Sequence, residues 1–196
     1  MKKVIGITGG IASGKTTVCQ YLNQQGYFVI DADEISRRLS QIGGPIYTAI
    51  KTSFGDAFFL PNQELDRKKL GQLIYEDASA RDLLNSITHP KIVEEMKNLI
   101  EKTTETIIFL DIPLLFEAKL SYLCDTIVCV YVDYETQLKR LMERDQISLE
   151  YAKTKIASQM SLEEKKKRSD YVIVSTEKYI QTQENIMNIV KQIKGV

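Results

Sequence analysis

Five short apolar runs recur along the chain, at residues 4–7, 27–30, 106–111, 126–132 and 171–174. They are apolar at nearly every position and rich in Val and Ile, as expected of strands buried on both faces. Between them the period changes to that of a helix. Val18 and Leu22 lie four residues apart, Ile92, Val93, Met96, Leu99 and Ile100 form one apolar face, and Ile186, Ile189, Val190 and Ile193 mark the inner side of a closing helix. Gly26 falls where the first helix should stop. Strands alternating with helices predict an α/β fold, a three-layer α/β/α sandwich around a five-stranded parallel sheet with right-handed crossovers.

One gap is too long for that scheme. Residues 34–104 hold no convincing strand, whereas a minimal crossover needs roughly a dozen residues. The excess reads as a helical insertion on the ligand edge of the sheet, with Pro45, Pro61 and Pro90 each marking an element start or a turn.

The first strand runs into Gly9-Gly10-Ile11-Ala12-Ser13-Gly14-Lys15-Thr16, which matches G-x-x-x-x-G-K-[ST]. Gly9 and Gly14 are expected to take angles that a Cβ would forbid, turning consecutive N–H groups inward as an anion nest. Lys15 adds a charge for the β- and γ-phosphates, and the Thr16 hydroxyl can ligate Mg²⁺. The helix starting at Lys15 points the positive end of its dipole at the same phosphates. Strand, loop and helix come in the required order, and a ligand-free glycine turn would leave the Lys-Thr pair unexplained.

Other candidates cluster at strand ends. Asp31-Ala32-Asp33 closes the second strand, at the edge where open α/β sheets place ligands. On an extended segment both carboxylates leave the same side; if the chain already turns into the helix expected near Glu34, one of them is its N-cap instead. Asp111 ends the third strand, positioned like the magnesium-associated Asp of phosphate-loop enzymes. Pro113-Leu114-Leu115-Phe116-Glu117 follows, readable both as a hydrophobic turn and as a substrate wall.

Asp133 opens a helix in which Gln137, Arg140, Leu141 and Arg144 recur at three- and four-residue spacing. The two arginines are either solvated or paired with acids such as Glu143, or reach from a lid over a transferring phosphoryl group. His89, the sole histidine, precedes a proline expected to start a helix and is either a satisfied structural group or a site residue. Lys165-Lys166-Lys167-Arg168 reads as a solvated surface.

Composition narrows the partners. With 26 basic and 26 acidic residues the chain carries no net charge, which argues against a broad polyanion groove and hence against nucleic acid. Cys19, Cys124 and Cys129 lack metal-ligand spacing and read as reduced core thiols. The first apolar run is too short for a signal peptide, and no run approaches the ~20 apolar residues of a membrane span. A cytoplasmic protein without a membrane partner is expected.

With these landmarks in place the chain resembles the dephospho-CoA kinase family nearly from end to end. The resemblance rests on residues 8–11 with 13–15, Asp31-Ala32-Asp33, Phe54-Gly55, Leu65-Asp66-Arg67, His89-Pro90, the 113–117 stretch, Arg140 with Arg144, and Gln159. It implies a phosphate-loop kinase fold and transfer of the γ-phosphoryl of ATP to the ribose 3′-hydroxyl of dephospho-CoA, the last step of coenzyme A synthesis. It also implies a nucleotide-binding core at about 1–33, 105–136 and 169–196, an acceptor-binding insertion at about 34–104 and a lid at about 137–168. By this resemblance Asp33 acts as general base, with Lys15 and Arg140 as the other catalytic groups. ATP is held by Gly10, Ile11, Ala12, Ser13, Gly14, Lys15, Thr16, Thr17, Arg140 and Arg144. Asp33, Arg67, His89 and Leu115 meet the acceptor, and Mg²⁺ sits on Thr16 and indirectly on Asp111. ATP and dephospho-CoA are thus the expected partners of a monomer or weak homo-oligomer.

Two positions depart from the family pattern. Ala12 stands where a glycine is common and is expected at negative φ. Ser175 stands where an Asn often follows the last strand, near the adenine end. Nucleoside monophosphate and shikimate-type kinases are the nearest rivals and differ in the acceptor part. A regulatory GTPase would carry N-K-x-D, which is absent, and a motor ATPase a strand ending Asp-Glu, whereas Ile112 follows Asp111.

Overall fold

β1 (Lys3–Gly9) is buried at every position after Lys3, because it lies in the middle of a five-stranded sheet. Around it, in a computed structural model describing residues 2–176 and 179–195, the chain runs through α1 (Lys15–Gln24), β2 (Phe28–Asp31), α2 (Ala32–Leu39), α3 (Pro45–Phe54), α4 (Arg67–Glu76) and α5 (Ala78–Lys102). It continues through β3 (Ile107–Asp111), β4 (Thr126–Tyr131), α6 (Tyr134–Asp145), α7 (Leu149–Ala157), α8 (Leu162–Lys167), β5 (Tyr171–Val174) and α9 (Tyr179–Lys194). The strand order is β2-β3-β1-β4-β5, with β1 parallel to β3 and β4, and β4 parallel to β5. All five expected strands form within two residues of their expected ends.

The chain divides into two compact units. The first joins the chain up to Ile30 with the chain from Glu105, and the second is Asp31–Thr104. In the first, one sheet face presents Ile5, Ile7, Phe109, Val128, Val130 and Ile173 to Val18, Cys19 and Leu22 of α1 and Ile186, Val190 and Ile193 of α9. Each such side chain contributes about 1.5–3 kcal/mol by leaving water. The opposite face packs Cys129 and Val132 on Leu162 of α8. There a Cβ on Gly6 would meet Cys124 Sγ at 2.6 Å, so glycine is required for contact rather than for torsion. Residues 137–168, expected as a lid, fold within this first unit.

The second unit spans the helices between β2 and β3. Ile46, Ile50 and Leu70 form its centre, with Phe54, Phe58 and Phe59 around them. Among the described residues it has no strand, only the isolated bridge of Phe59 with Leu65. Pro45 opens α3 at its first turn, as expected. Pro90 does not start a helix: it lies inside the 25-residue α5. An interior proline costs about 3 kcal/mol. Here the helix continues because Leu84 and Ile87 before it and Ile92 after it pack on one core, while Met96 is fully buried.

Candidate active site

The glycine loop is shaped by two left-handed residues, Ala12 at φ 58° and Gly14 at φ 93°. Between them Ser13 turns back, its N–H donating to Gly10 O at 3.1 Å. Backbone that alternates handedness in this way is the kind that forms an anion nest. Gly14 is also the N-cap of α1, and no side chain caps that helix, so its first amides keep their capacity for an anion. The Ser13 hydroxyl is buried without a hydrogen-bond partner. A buried orphan hydroxyl costs about 1–3 kcal/mol, and a phosphate oxygen would relieve it.

Two expectations about this loop are corrected. Gly9 closes β1 outside the left-handed region; it must lack a Cβ because one would come within 2.6 Å of Ser13 Oγ and 3.0 Å of Val130 O. Ala12, expected at negative φ, is left-handed. That conformation costs a non-glycine residue about 1–2 kcal/mol. It is offset by packing, because Ile11 and Ala12 lie against Leu138, Leu141, Ala152 and Ile156 of α6 and α7.

Lys15 Nζ pairs with Asp111 Oδ1 at 2.5 Å, both side chains being nearly buried. The ammonium keeps two further N–H groups for phosphate oxygens. Thr16 is exposed in the first turn of α1, with Thr17 beside it at intermediate exposure. On α6, Arg140 Nη1 donates to Ser175 Oγ at 3.0 Å and lies 3.7 Å from where a Gly14 Cβ would be. Ser175 is therefore held beside the phosphate loop. Arg144 stays exposed and pairs with an acid, Asp145 at 2.8 Å, one of the alternatives its sequence position offered. Its guanidinium, followed by Lys155, holds the Asp145 carboxyl down at about 2.

Polar groups from the expected lid reach the loop from outside. The Ile11 N–H donates to Gln159 Oε1, and Gln137 Nε2 donates to the Ile11 carbonyl, each at 2.8 Å. Lys165, expected in a solvated run, is fully buried; it pairs with Glu117 at 2.9 Å and donates to Pro113 O at 2.7 Å and Gly9 O at 3.4 Å. The charge run misled because Lys165 stands three residues after buried Leu162, on the same helical face, while Lys166 and Lys167 turn outward. That spacing was the available signal. Glu117 also accepts from Met160 N at 3.0 Å. Leu115 is fully buried under Gly6, so it packs the floor of the sheet and offers no surface to a ligand.

The helical unit carries the remaining candidates. Asp31 is the N-cap of α2, accepting from the N–H groups of Asp33 and Glu34, and the helix starts at Ala32 rather than near Glu34. Capping thus accounts for Asp31 and leaves Asp33 in the exposed first turn, four residues before Arg37 on the same face. Arg67 Nη2 donates to Arg37 O at 3.4 Å, and Arg67 lines a cavity of about 200 Å³ with Ser36, Ser40 and Thr88. His89 is half-buried in mid-helix, and burial lowers its pKa below the usual 6.5.

Two thiols are made poor nucleophiles by the same physics: burial pushes Cys124 up to about 12 and Cys129 up to about 11, and none of the three cysteines is in a disulfide.

The central strand ending in the glycine loop, Lys15 opening α1, and Asp111 at the tip of the neighbouring strand define a phosphate-loop kinase fold. The chain belongs to the dephospho-CoA kinase family, whose model matches residues 3–180. It is 43% identical over 194 residues to dephospho-CoA kinase of Carboxydothermus hydrogenoformans, covering 97% of this chain and 94% of that protein. Among solved structures it resembles dephospho-CoA kinase from Campylobacter jejuni, with a TM-score of 0.71 and 31% identity, covering 100% of this chain and 99% of that one. It also resembles TT1252 from Thermus thermophilus, with a TM-score of 0.87 and 29% identity, covering 98% and 97%.

Proposed function

We infer that this chain performs the reaction of its family, ATP-dependent phosphorylation of the ribose 3′-hydroxyl of dephospho-CoA to give coenzyme A and ADP. The observation that supports it most is the loop itself, where an orphaned Ser13 hydroxyl, uncapped α1 amides, Lys15 and Arg140 meet in a chain of this family. Phosphoryl transfer has a loose transition state, so positioning and neutralisation contribute more than proton removal. Lys15 and Arg140 neutralise charge on the transferring group, and Asp33 accepts the proton of the acceptor hydroxyl. Arg67, with its cavity, and His89, neutral at pH 7, orient the acceptor.

The residues fit a magnesium ion held mainly by phosphate oxygens. Thr16 offers an exposed hydroxyl and Asp111 a second oxygen beside the one on Lys15, and no cluster of three or more His, Cys, Asp or Glu suited to a metal occurs among the described residues. When bound, the ion supplies charge neutralisation at the β- and γ-phosphates. Arg144 reaches the nucleotide only by leaving Asp145. The reading also keeps a cytoplasmic monomer or weak homo-oligomer without nucleic-acid or membrane partners; in its support, no described helix is long and apolar enough to cross a membrane.

A steady-state assay with ATP, Mg²⁺ and a panel of acceptors tests the reading. Dephospho-CoA should turn over, and turnover of a nucleoside monophosphate in its place would overturn the assignment. Asp33→Asn should lower turnover by about 10²–10⁴-fold while nucleotide still binds. Near-normal turnover would remove Asp33 from the mechanism.

A further inference from the structure

The left-handed turn at Ala12 follows a residue, Ile11, whose two flanking peptides are gripped from outside the loop. Both polar groups of Ile11 are engaged by side chains far away in sequence: Gln159 accepts from the N–H and Gln137 donates to the carbonyl, each at 2.8 Å. A Cβ on Gly10 would come within 2.8 Å of Gln137 Nε2, so the loop is trimmed to admit this amide. Both side chains also line a cavity of about 350 Å³ with Tyr131, Ile156 and Leu162, so hydrogen bonds add to the packing that holds them. Gln137 is only 3% exposed, so its bond to Ile11 runs where little water competes.

We propose that Gln137 and Gln159 are positioning residues for phosphoryl transfer, holding the two peptides that flank Ile11 so that the Ala12 and Gly14 amides and the first turn of α1 face the nucleotide phosphates. This rests on reading the loop as the ATP cradle. Neither glutamine needs to touch substrate. Gln159 acts through the Gly10–Ile11 peptide plane and Gln137 through the Ile11–Ala12 plane, and the two work with opposite polarity, one as acceptor and one as donor.

The polarity supplies the test. Gln137→Met and Gln159→Met are close in volume and remove the bonds, whereas Gln159→Glu keeps an acceptor facing the Ile11 N–H. Titration with ADP, read by a fluorescent analogue, and the KM values for ATP and dephospho-CoA are measured on each purified variant, with a thermal melt alongside. Each Met variant should weaken ADP and raise the KM for ATP about tenfold, leaving the KM for dephospho-CoA within twofold. Gln159→Glu should recover most of the affinity that Gln159→Met loses. Met variants that melt earlier yet bind ADP like the parent, or equal losses for Gln159→Met and Gln159→Glu, would overturn the proposal. ADP binding needs no acceptor, so a parent that binds ADP but ignores dephospho-CoA would count against the acceptor assignment and leave the clasp to be judged on the titrations.

Discussion

The two units hold their charges in different ways. In the first, Lys165 is wholly buried against Glu117 and two carbonyls, and Lys15 is nearly so against Asp111. In the helical unit the pairs stand in water: Arg38 with Glu95 at 2.6 Å and Lys51 with Asp56 at 3.1 Å, with half or nearly half of each cation exposed. A buried charge has lost its solvent and tolerates few arrangements, so it fixes the backbone that supplies its partners. An exposed one can exchange its partner for water at little cost. The phosphate loop is therefore pinned from several sides, while the helical unit relies on apolar packing and helix caps.

The largest effect should come from Lys15→Ala. It removes a cation proposed to meet the β- and γ-phosphates, and turnover should fall by at least about 10³-fold with far-UV circular dichroism unchanged. Arg67→Ala in the helical unit should instead act mainly on the KM for dephospho-CoA, by about tenfold. An equal collapse of kcat for both would break the division drawn between the units.

Stability should show the same contrast on a smaller scale. Glu117→Leu strands a fully buried ammonium and should cost about 3–5 kcal/mol in urea unfolding. Lys165→Met strands a carboxylate whose side chain is 24% exposed and whose Oε1 keeps the Met160 N–H, though its Oε2 is buried without a partner, and should cost no more than that. Arg38→Ala removes a solvated pair and should cost under about 1 kcal/mol. A large loss for Arg38→Ala would show that exposure misjudges that pair.

Acidification should separate the units next. Burial keeps His89 neutral in the fold, whereas in the unfolded chain it takes up a proton near 6.5. Stability from this group is complete above that value and is lost as pH falls through it. The matching window in the first unit, from Asp145, opens only as pH falls from 3.8 towards about 2. Between pH 7 and 5.5, hydrogen exchange in α5 should therefore accelerate while that in α6 stays level, and His89→Gln should abolish the difference.

What was legible in the sequence followed from whether a residue's task is set locally. The strands could be read because burial on both faces demands continuous apolar runs, and the loop because an anion nest needs glycine, lysine and a hydroxyl at fixed spacing. The cap at Asp31 was legible as an alternative and proved to be half of the Asp31–Asp33 pattern. Pro90 and Lys165 were misread because distant packing decides them: a proline is carried through a helix by the apolar groups around it, and a lysine is buried by carbonyls remote in sequence. Gln137 gave only a helical period, since the peptide it holds is 126 residues away. Nothing near α6 announces such a partner.

The smallest effect tests the comparison most finely, through one substitution made in both units. Ala12 and Gln63 are both left-handed, at φ 58° and 66°. Glycine at either place relieves about 1–2 kcal/mol of steric cost and gives back about 0.4–1 kcal/mol through the looser unfolded chain. Gln63 is exposed and its backbone carbonyl is what matters, accepting from Tyr47 Oη at 2.8 Å, so Gln63→Gly keeps that bond and should stabilise by about 0.5–1 kcal/mol. Ala12 also loses a methyl packed against α6 and α7, worth up to about 0.8 kcal/mol. Ala12→Gly should therefore leave urea stability within about 0.5 kcal/mol of the parent. A gain equal to that of Gln63→Gly would mean the methyl contributes nothing, and that Gln137 and Gln159 hold the turn without help from packing.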